Sequence, residues 1–188
     1  LLAEAYCLRA FVHFDLINLY AKWYDPATAA TDKAVPLSLK IDIGQSFIPT
    51  TVEKVYEQVL ADLQEAEKYM QVEQQTGAYL YRFSKKALKA FQARVYLYHQ
   101  DWKQAQKTAE SLLAACPLED LTTTEAQPWT YTSKEAILAL ETVSSTVMKE
   151  DMYVLDNISG KFNQIKEGDK YVDARLGNYL VDKYGTWY

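Results

Sequence analysis

The sequence predicts a mainly α fold: a helical-repeat scaffold carrying long irregular loops. Three observations predict it. The run from Val52 to Met70 places apolar residues at helical spacing behind a capping signal. A second run, from Ser84 to Tyr98, is followed after a short His99-Gln100 turn by a third that opens at Asp101 and ends before Pro117. The opening segment, Glu4 to Tyr20, is apolar around most of a helical wheel.

Residues 3–22 read as the first helix. Leu8, Phe11, Val12, Leu16, Leu19 and Tyr20 spread around its circumference, so it is expected to be enclosed by other helices. Arg9 and His13 are spaced i,i+4 on one face, with Asp15 close by. Buried charges need partners, so Arg9, His13 and Asp15 are expected to form a structural polar network. Asp25 to Pro49 follows as a long excursion with Pro26, Pro36, Gly44 and no periodicity.

Thr50-x-x-Glu53 reads as a capping box for the second helix. Val52, Val55, Tyr56, Val59, Leu63, Ala66 and Met70 fall on one face, and Glu53, Lys54, Glu57, Gln58, Asp62 and Glu65 on the other. Gly77 and the stretch Tyr79 to Phe83 lead to a third helix with Ser84 as N-cap and an apolar stripe of Ala87, Leu88, Phe91, Val95 and Tyr98. Asp101 caps a fourth, whose inner face is expected to be Trp102, Ala105, Ala109 and Leu112, with Trp102 in the core. From Leu118 the signal weakens: Glu135 to Leu140 fits either a strand or a short helix, and Asp169 to Tyr188 has no clean period.

Composition narrows the function classes. With 49% hydrophobic and 24% charged residues over 188 positions, the chain has the make-up of a globular protein with one real core. Its net charge is −5 and it holds no basic run of the kind that tracks phosphates, so nucleic acid is disfavoured as a partner. No apolar stretch approaches the roughly 20 residues that span a bilayer. Cys7 and Cys116 sit in apolar sequence and read as buried free thiols, with a disulfide as the alternative. The chain opens at Leu1 inside a helical pattern and stops at Trp187-Tyr188 without a stop signal, which predicts a piece of a longer polypeptide.

Two resemblances follow from particular residues. Ala93, Tyr96, Trp102, Ala105, Ala109 and Pro117 fall at the spacing of a helix–turn–helix, and the pair resembles one tetratricopeptide unit. The first and second helices are expected to form a degenerate further pair, interrupted by the long loop. The second resemblance runs through four ordered blocks: Glu4 to Tyr20; Val35-Pro36-Leu37 with Thr51 to Tyr56 and Asp62-Leu63; Ser84 to Ala87 with Ala93 to Tyr98, Asp101-Trp102 and Ala105; and Ser133-x-Glu135-Ala136-Ile137 with Asp173-Ala174-Arg175. Together they resemble the SusD/RagB family of glycan-binding outer-membrane lipoproteins. That resemblance covers much of residues 1–116, the best-matched scaffold of a single helical domain over 1–188, and leaves 117–188 as a loop-rich remainder. The family's Tyr-Gly after the first helix is replaced here by Tyr20-Ala21-Lys22-Trp23-Tyr24.

The resemblance implies a non-catalytic protein that holds an oligosaccharide at the cell surface and delivers it to a TonB-dependent outer-membrane transporter. It also implies membrane contact only through a lipid anchor that lies outside these residues. A protein–protein adaptor without a sugar ligand accounts for the helical repeats equally well.

Glu4, Arg9, His13 and Asp15 lack an accompanying nucleophile or second histidine and read as structural rather than as an acid–base group. No His/Cys cluster has metal-ligand spacing, so neither metal nor cofactor is expected, although Asp169 and Asp173 would be the residues to hold calcium. No acid pair is set apart for glycoside hydrolysis. Loop aromatics are the better lead, because Tyr and Trp offer a flat apolar face and a polar edge. Trp23, Tyr24, Trp129 and Tyr131 are therefore the expected sugar-binding residues, with Trp187-Tyr188 a further pair and His99 a surface residue or a partner of the helix C-terminus.

Overall fold

The computed structural model describes residues 1–41, 44, 46–116, 118–120, 132–140, 166–167 and 170–171. The chain divides into two compact units, one of Leu1–Cys116 with Ile137–Ala139, the other of Pro117–Ala136 with Leu140–Tyr188. The first holds four helices: α1 (Leu2–Tyr20), α2 (Val52–Tyr69), α3 (Lys85–Tyr98) and α4 (Trp102–Leu113). The fold is mainly α. In the second unit, the described secondary structure is a minimal antiparallel pair, β1 (Lys166–Glu167) and β2 (Lys170–Tyr171).

α1 and α2 form the most extensive helix contact, and α3 packs on both α2 and α4. The expected pairing of the first two helices across the long loop is therefore present. The seam on α1 is Ala3, Cys7, Ala10, His13, Phe14 and Ile17. Small side chains at the first three positions let α2 approach closely, and α2 answers with Val52, Val55, Tyr56, Val59, Leu63 and Ala66, all at 2% exposure or less. Each large side chain so enclosed is worth roughly 1.5–3 kcal/mol. Phe14 ties the pair to α3 through edge-on rings at Tyr56, Phe91 and Tyr98, with centroids 6.3, 5.5 and 5.3 Å away.

α1 is not enclosed, contrary to expectation. Leu8 and Val12 are each 53% exposed and Leu19 73%, so these three flank the seam, where the large aliphatic residue is Ile17. The polar network also has other members. Arg9 reaches across to Asp62 of α2, Nε donating to Oδ2 at 2.8 Å and Nη2 to Oδ1 at 2.6 Å, while Gln58 Nε2 donates to the same Oδ1 at 2.8 Å. Asp62 thus lies inside, 1% exposed, and not on the solvated face of α2. His13 is buried beside this pair, and burial lowers its pKa. Asp15 is exposed and takes no part. The Cys7 thiol is free and buried, its pKa pushed up to about 12 by desolvation; Cys116 is also free and buried.

The long loop after α1 is tied down at both ends. Lys33 bridges to Thr51, and Ala34 N–H donates to the Thr50 carbonyl at 2.7 Å. Two N–H groups at the start of α2, which a helix leaves unpaired, are satisfied by this loop: Val52 donates to Asp32 O and Glu53 to Ala29 O, each at 3.0 Å. The N-cap is Thr51, one residue later than the capping box Thr50-x-x-Glu53 requires, with its hydroxyl accepting from Lys54 N–H. Between α2 and α3, Arg82 makes a two-pronged bond to Glu4 at 2.9 and 2.7 Å. This bond is the main reason the Glu4 carboxyl titrates low.

Ser84 caps α3 from a fully buried position, its Oγ accepting from Ala87 N–H at 3.2 Å. Ser84→Ala strands that N–H away from water and is expected to cost ~1–2 kcal/mol, read as a lowered urea midpoint with an unchanged slope. Asp101 caps α4 through Gln104 N–H. In α4, only Ala105 is buried; Trp102 is 60% exposed and does not belong to the core. With Leu97, Tyr98 and Ala109 it lines an open apolar groove of ≈ 470 Å³. A tetratricopeptide array covers such a face with the next helix pair, but no described helix follows α4. Residues 136–140 are neither strand nor helix; Ile137 and Leu138 lean on the core and Ala139 N–H donates to Leu80 O.

Candidate functional site

α1 ends without a glycine. Ala21 turns to extended backbone (φ −118°, ψ 173°), and its N–H closes the last helical turn on Ile17 O. Lys22, Trp23 and Tyr24 follow as a strip without helix or strand structure, and the two aromatics part company. Trp23 stands out into solvent, 83% exposed. Tyr24 turns inward, its ring 5.2 Å from that of Tyr56 and 4.1 Å from that of His99.

The chain then folds back on Asp25. Its carboxylate accepts from Ala27 N–H at 2.9 Å, and its carbonyl from Thr28 and Ala29 N–H at 3.0 and 2.7 Å. This is the Asx-type turn that Asp favours. Ala29 is buried beneath it, and the Ala29 carbonyl is one of the two that accept from the start of α2. A surface loop is thus fastened to the most regular helix of the molecule.

Between strip and turn lies a cleft of ≈ 450 Å³ lined by Ala21, Lys22, Trp23, Asp25, Thr28 and Asp32. Its floor is electrostatically ordered. Lys22 Nζ lies 2.6 Å from Asp32 Oδ1, and Thr28 Oγ1 donates to Asp32 Oδ2 at 2.7 Å. The hydrogen bond from Lys22, then that from Thr28, keep the Asp32 carboxyl below its ordinary pKa. The lining holds two carboxylates, Asp25 and Asp32, and one ammonium, Lys22, that is already paired. A flat indole beside a cluster of hydrogen-bonding groups suits a ligand with an apolar face and a polar rim.

Of the four expected binding aromatics, Trp23 lines this cleft and Tyr24 supports it from behind. Trp129 and Tyr131 lie outside the described residues, as do Trp187, Tyr188, Asp169 and Asp173. His99 is the C-cap of α3, at the helix C-terminus, its other expected place, and not an open surface residue: its ring tilts against those of Tyr24 and Tyr56, and half-burial lowers its pKa. Asp25, Thr28 and Asp32 carry no signal of their own in the sequence beyond an Asp-Pro pair that opens a Thr- and Ala-rich turn directly after Trp23-Tyr24. Among the described residues, no group of three His, Cys, Asp or Glu side chains is placed to hold a metal ion. No described helix is long and apolar enough to cross a membrane.

Fold and cleft together define a helical-repeat scaffold that presents a loop-borne aromatic site. Residues 1–97 match the model of a SusD-like family described as starch-binding and associating with the outer membrane, and the chain belongs to that family. A SusD-like protein of Formosa agariphila is 32% identical over 118 residues, covering 61% of this chain and 20% of the relative. Among solved structures, a SusD superfamily protein of Bacteroides fragilis superposes with a TM-score of 0.57 at 28% identity, covering 73% of this chain and 32% of that one. Another, from Bacteroides vulgatus, gives 0.53 at 28% identity, covering 61% and 25%. The chain thus spans between a fifth and a third of the length of these relatives.

Proposed function

We propose that this protein binds a glycan without turning it over, at the cell surface, and passes it to a TonB-dependent transporter in the outer membrane. Family membership over residues 1–97 carries the reading. The cleft supports it: the Trp23 indole offers a face on which a pyranose ring can lie, and Asp25, Thr28 and Asp32 offer oxygen atoms to its hydroxyls. Membrane attachment, in this reading, runs through a lipid anchor and not through any of the described helices.

The cleft's charge narrows the ligand. Sugar hydroxyls donate well to carboxylates, whereas a uronate or sulfate brought beside Asp25 and Asp32 meets like charge and finds Lys22 already engaged. Neutral oligosaccharides are expected to bind at least tenfold tighter than uronate or sulfated ones of equal length. Isothermal titration at low salt, where screening is least, is the check; tighter binding of the anionic series would remove the cleft from consideration as the site.

The transport half of the reading is tested by tagging the protein in its native membrane and identifying what co-purifies. A stoichiometric outer-membrane barrel is expected. The alternative, a helical-repeat adaptor for another protein, draws on the open apolar groove of Leu97, Tyr98, Trp102 and Ala109. A soluble protein partner in place of the barrel would favour it.

A further inference from the structure

The turn joining α3 to α4 holds a conformation its sequence does not favour. Gln100 has φ 63°, the only non-glycine residue with positive φ among those described. The hydrogen bonds around it identify the position. Gln100 N–H donates to Leu97 O at 3.2 Å, and Asp101 N–H to Tyr96 O at 2.9 Å. That is a Schellman closure of α3, with Gln100 at the left-handed position that glycine ordinarily fills because it carries no Cβ. A long side chain there makes the helix end worse than glycine would, so the reason for it lies elsewhere.

The side chain shows where. Gln100 Nε2 donates to the carbonyl oxygen of Tyr24 at 2.6 Å, across 76 residues of sequence. His99, the preceding residue, lays its ring against that of Tyr24 at 4.1 Å. The bonded carbonyl belongs to the peptide plane between Tyr24 and Asp25. On one side of that plane is Trp23, and on the other Asp25, both walls of the cleft. Backbone strain kept in place by its surroundings is an observation from which function can be argued.

We infer that Gln100 is a positioning residue for the glycan cleft: its amide, projected from a left-handed turn, fixes the Tyr24–Asp25 peptide and with it the orientation of the Trp23 indole. The inference rests on the glycan reading for its purpose but not for its geometry. Lys22, paired with Asp32, and the packed Tyr24 ring hold the backbone on either side of Trp23, whose own side chain is 83% exposed; the Gln100 bond adds a further hold, on the peptide just beyond Tyr24. A platform held in advance loses less freedom on binding, so the clamp shows as affinity.

The test uses Gln100→Gly in the intact protein. Glycine suits the turn better than glutamine, so the variant is expected to melt no lower than the parent. Yet the indole N–H resonance of Trp23, identified by its loss in Trp23→Phe, should shift and broaden without ligand present. Affinity for maltoheptaose, the probe that the family's starch-binding description suggests, should fall about three- to tenfold. Gln100→Asn, which tolerates the same backbone but is one methylene short, should behave like the glycine variant.

An unmoved Trp23 resonance in both variants overturns the inference. So does unchanged affinity in a protein whose maltoheptaose binding Trp23→Ala removes. If Trp23→Ala leaves binding intact, the glycan reading of the cleft fails, while the resonance still decides whether Gln100 holds the platform. A parent that does not take maltoheptaose leaves that decision to the resonance alone.

Discussion

Arg9→Met is expected to be among the most damaging single substitutions in the helical unit, destabilising it by ~3–5 kcal/mol. The size follows from an asymmetry within the ion pair. The Asp62 side chain is 2% exposed and that of Arg9 33%. Removing Arg9 leaves a carboxylate enclosed between α1 and α2 with one hydrogen bond, from Gln58, in place of three. The reverse change, Asp62→Asn, keeps an oxygen that can accept from the guanidinium, and Arg9 can swing its charge into water. It is expected to cost less than half as much. Chemical denaturation of both variants at neutral pH measures the difference. Equal losses would mean that the pair contributes through shape and not through burial of charge. The double variant Arg9→Met, Asp62→Leu should recover most of the stability, because replacing both members with apolar groups removes the desolvation cost together with the attraction.

That same pair shows how far the sequence carries. α2 was legible because its period is clean and its apolar residues are large. Even so, Asp62 was assigned to the solvated face, although it sits three residues after Val59 and four before Ala66 and so lies on the buried stripe. Its charge outweighed its position. In α1 the opposite happened. Leu8, Val12 and Leu19 are large yet stand outside the seam, whose first half is Ala3, Cys7 and Ala10, buried because they are small enough to let α2 in; only its second half, with Phe14 and Ile17, is large. Close helix packing selects small residues at the point of approach, and no measure of hydrophobicity alone finds them.

The site was less legible for a different reason. Trp23 and Tyr24 are adjacent and chemically alike, and what separates them is the pairing of Tyr24 with Tyr56 and His99, residues far away in sequence. The three ring partners have no common period, so no pattern along the chain foretells which aromatic is held and which is offered. Trp102 illustrates the converse. Tetratricopeptide spacing places it at a repeat interface, which is a core position only when the next pair is present. At 60% exposure it is an interface residue without a described neighbour. Caps were easier, because Ser84 and Asp101 are each followed directly by a helical pattern. The one slip, between Thr50 and Thr51, arose where two chemically identical candidates stand side by side.

Trp23→Ala is expected to weaken glycan binding thirtyfold or more while leaving the melting temperature unchanged. The two readouts separate because they draw on different surfaces. An indole that is 83% exposed contributes little to folding, so truncating it opens no cavity. In a complex, that face would be covered by a sugar ring, and a buried tryptophan at the centre of an interface is commonly worth ~2 kcal/mol or more, about a factor of thirty. Tyr24→Ala should do the reverse. It removes a ring packed edge-on against Tyr56 and tilted against His99, and is expected to lower stability first, with binding lost only as the strip loosens. Titration calorimetry of both variants against maltoheptaose, paired with thermal melts, tells the roles apart. Binding that survives Trp23→Ala but not Tyr24→Ala would place the sugar on the inner ring cluster and not on the open indole.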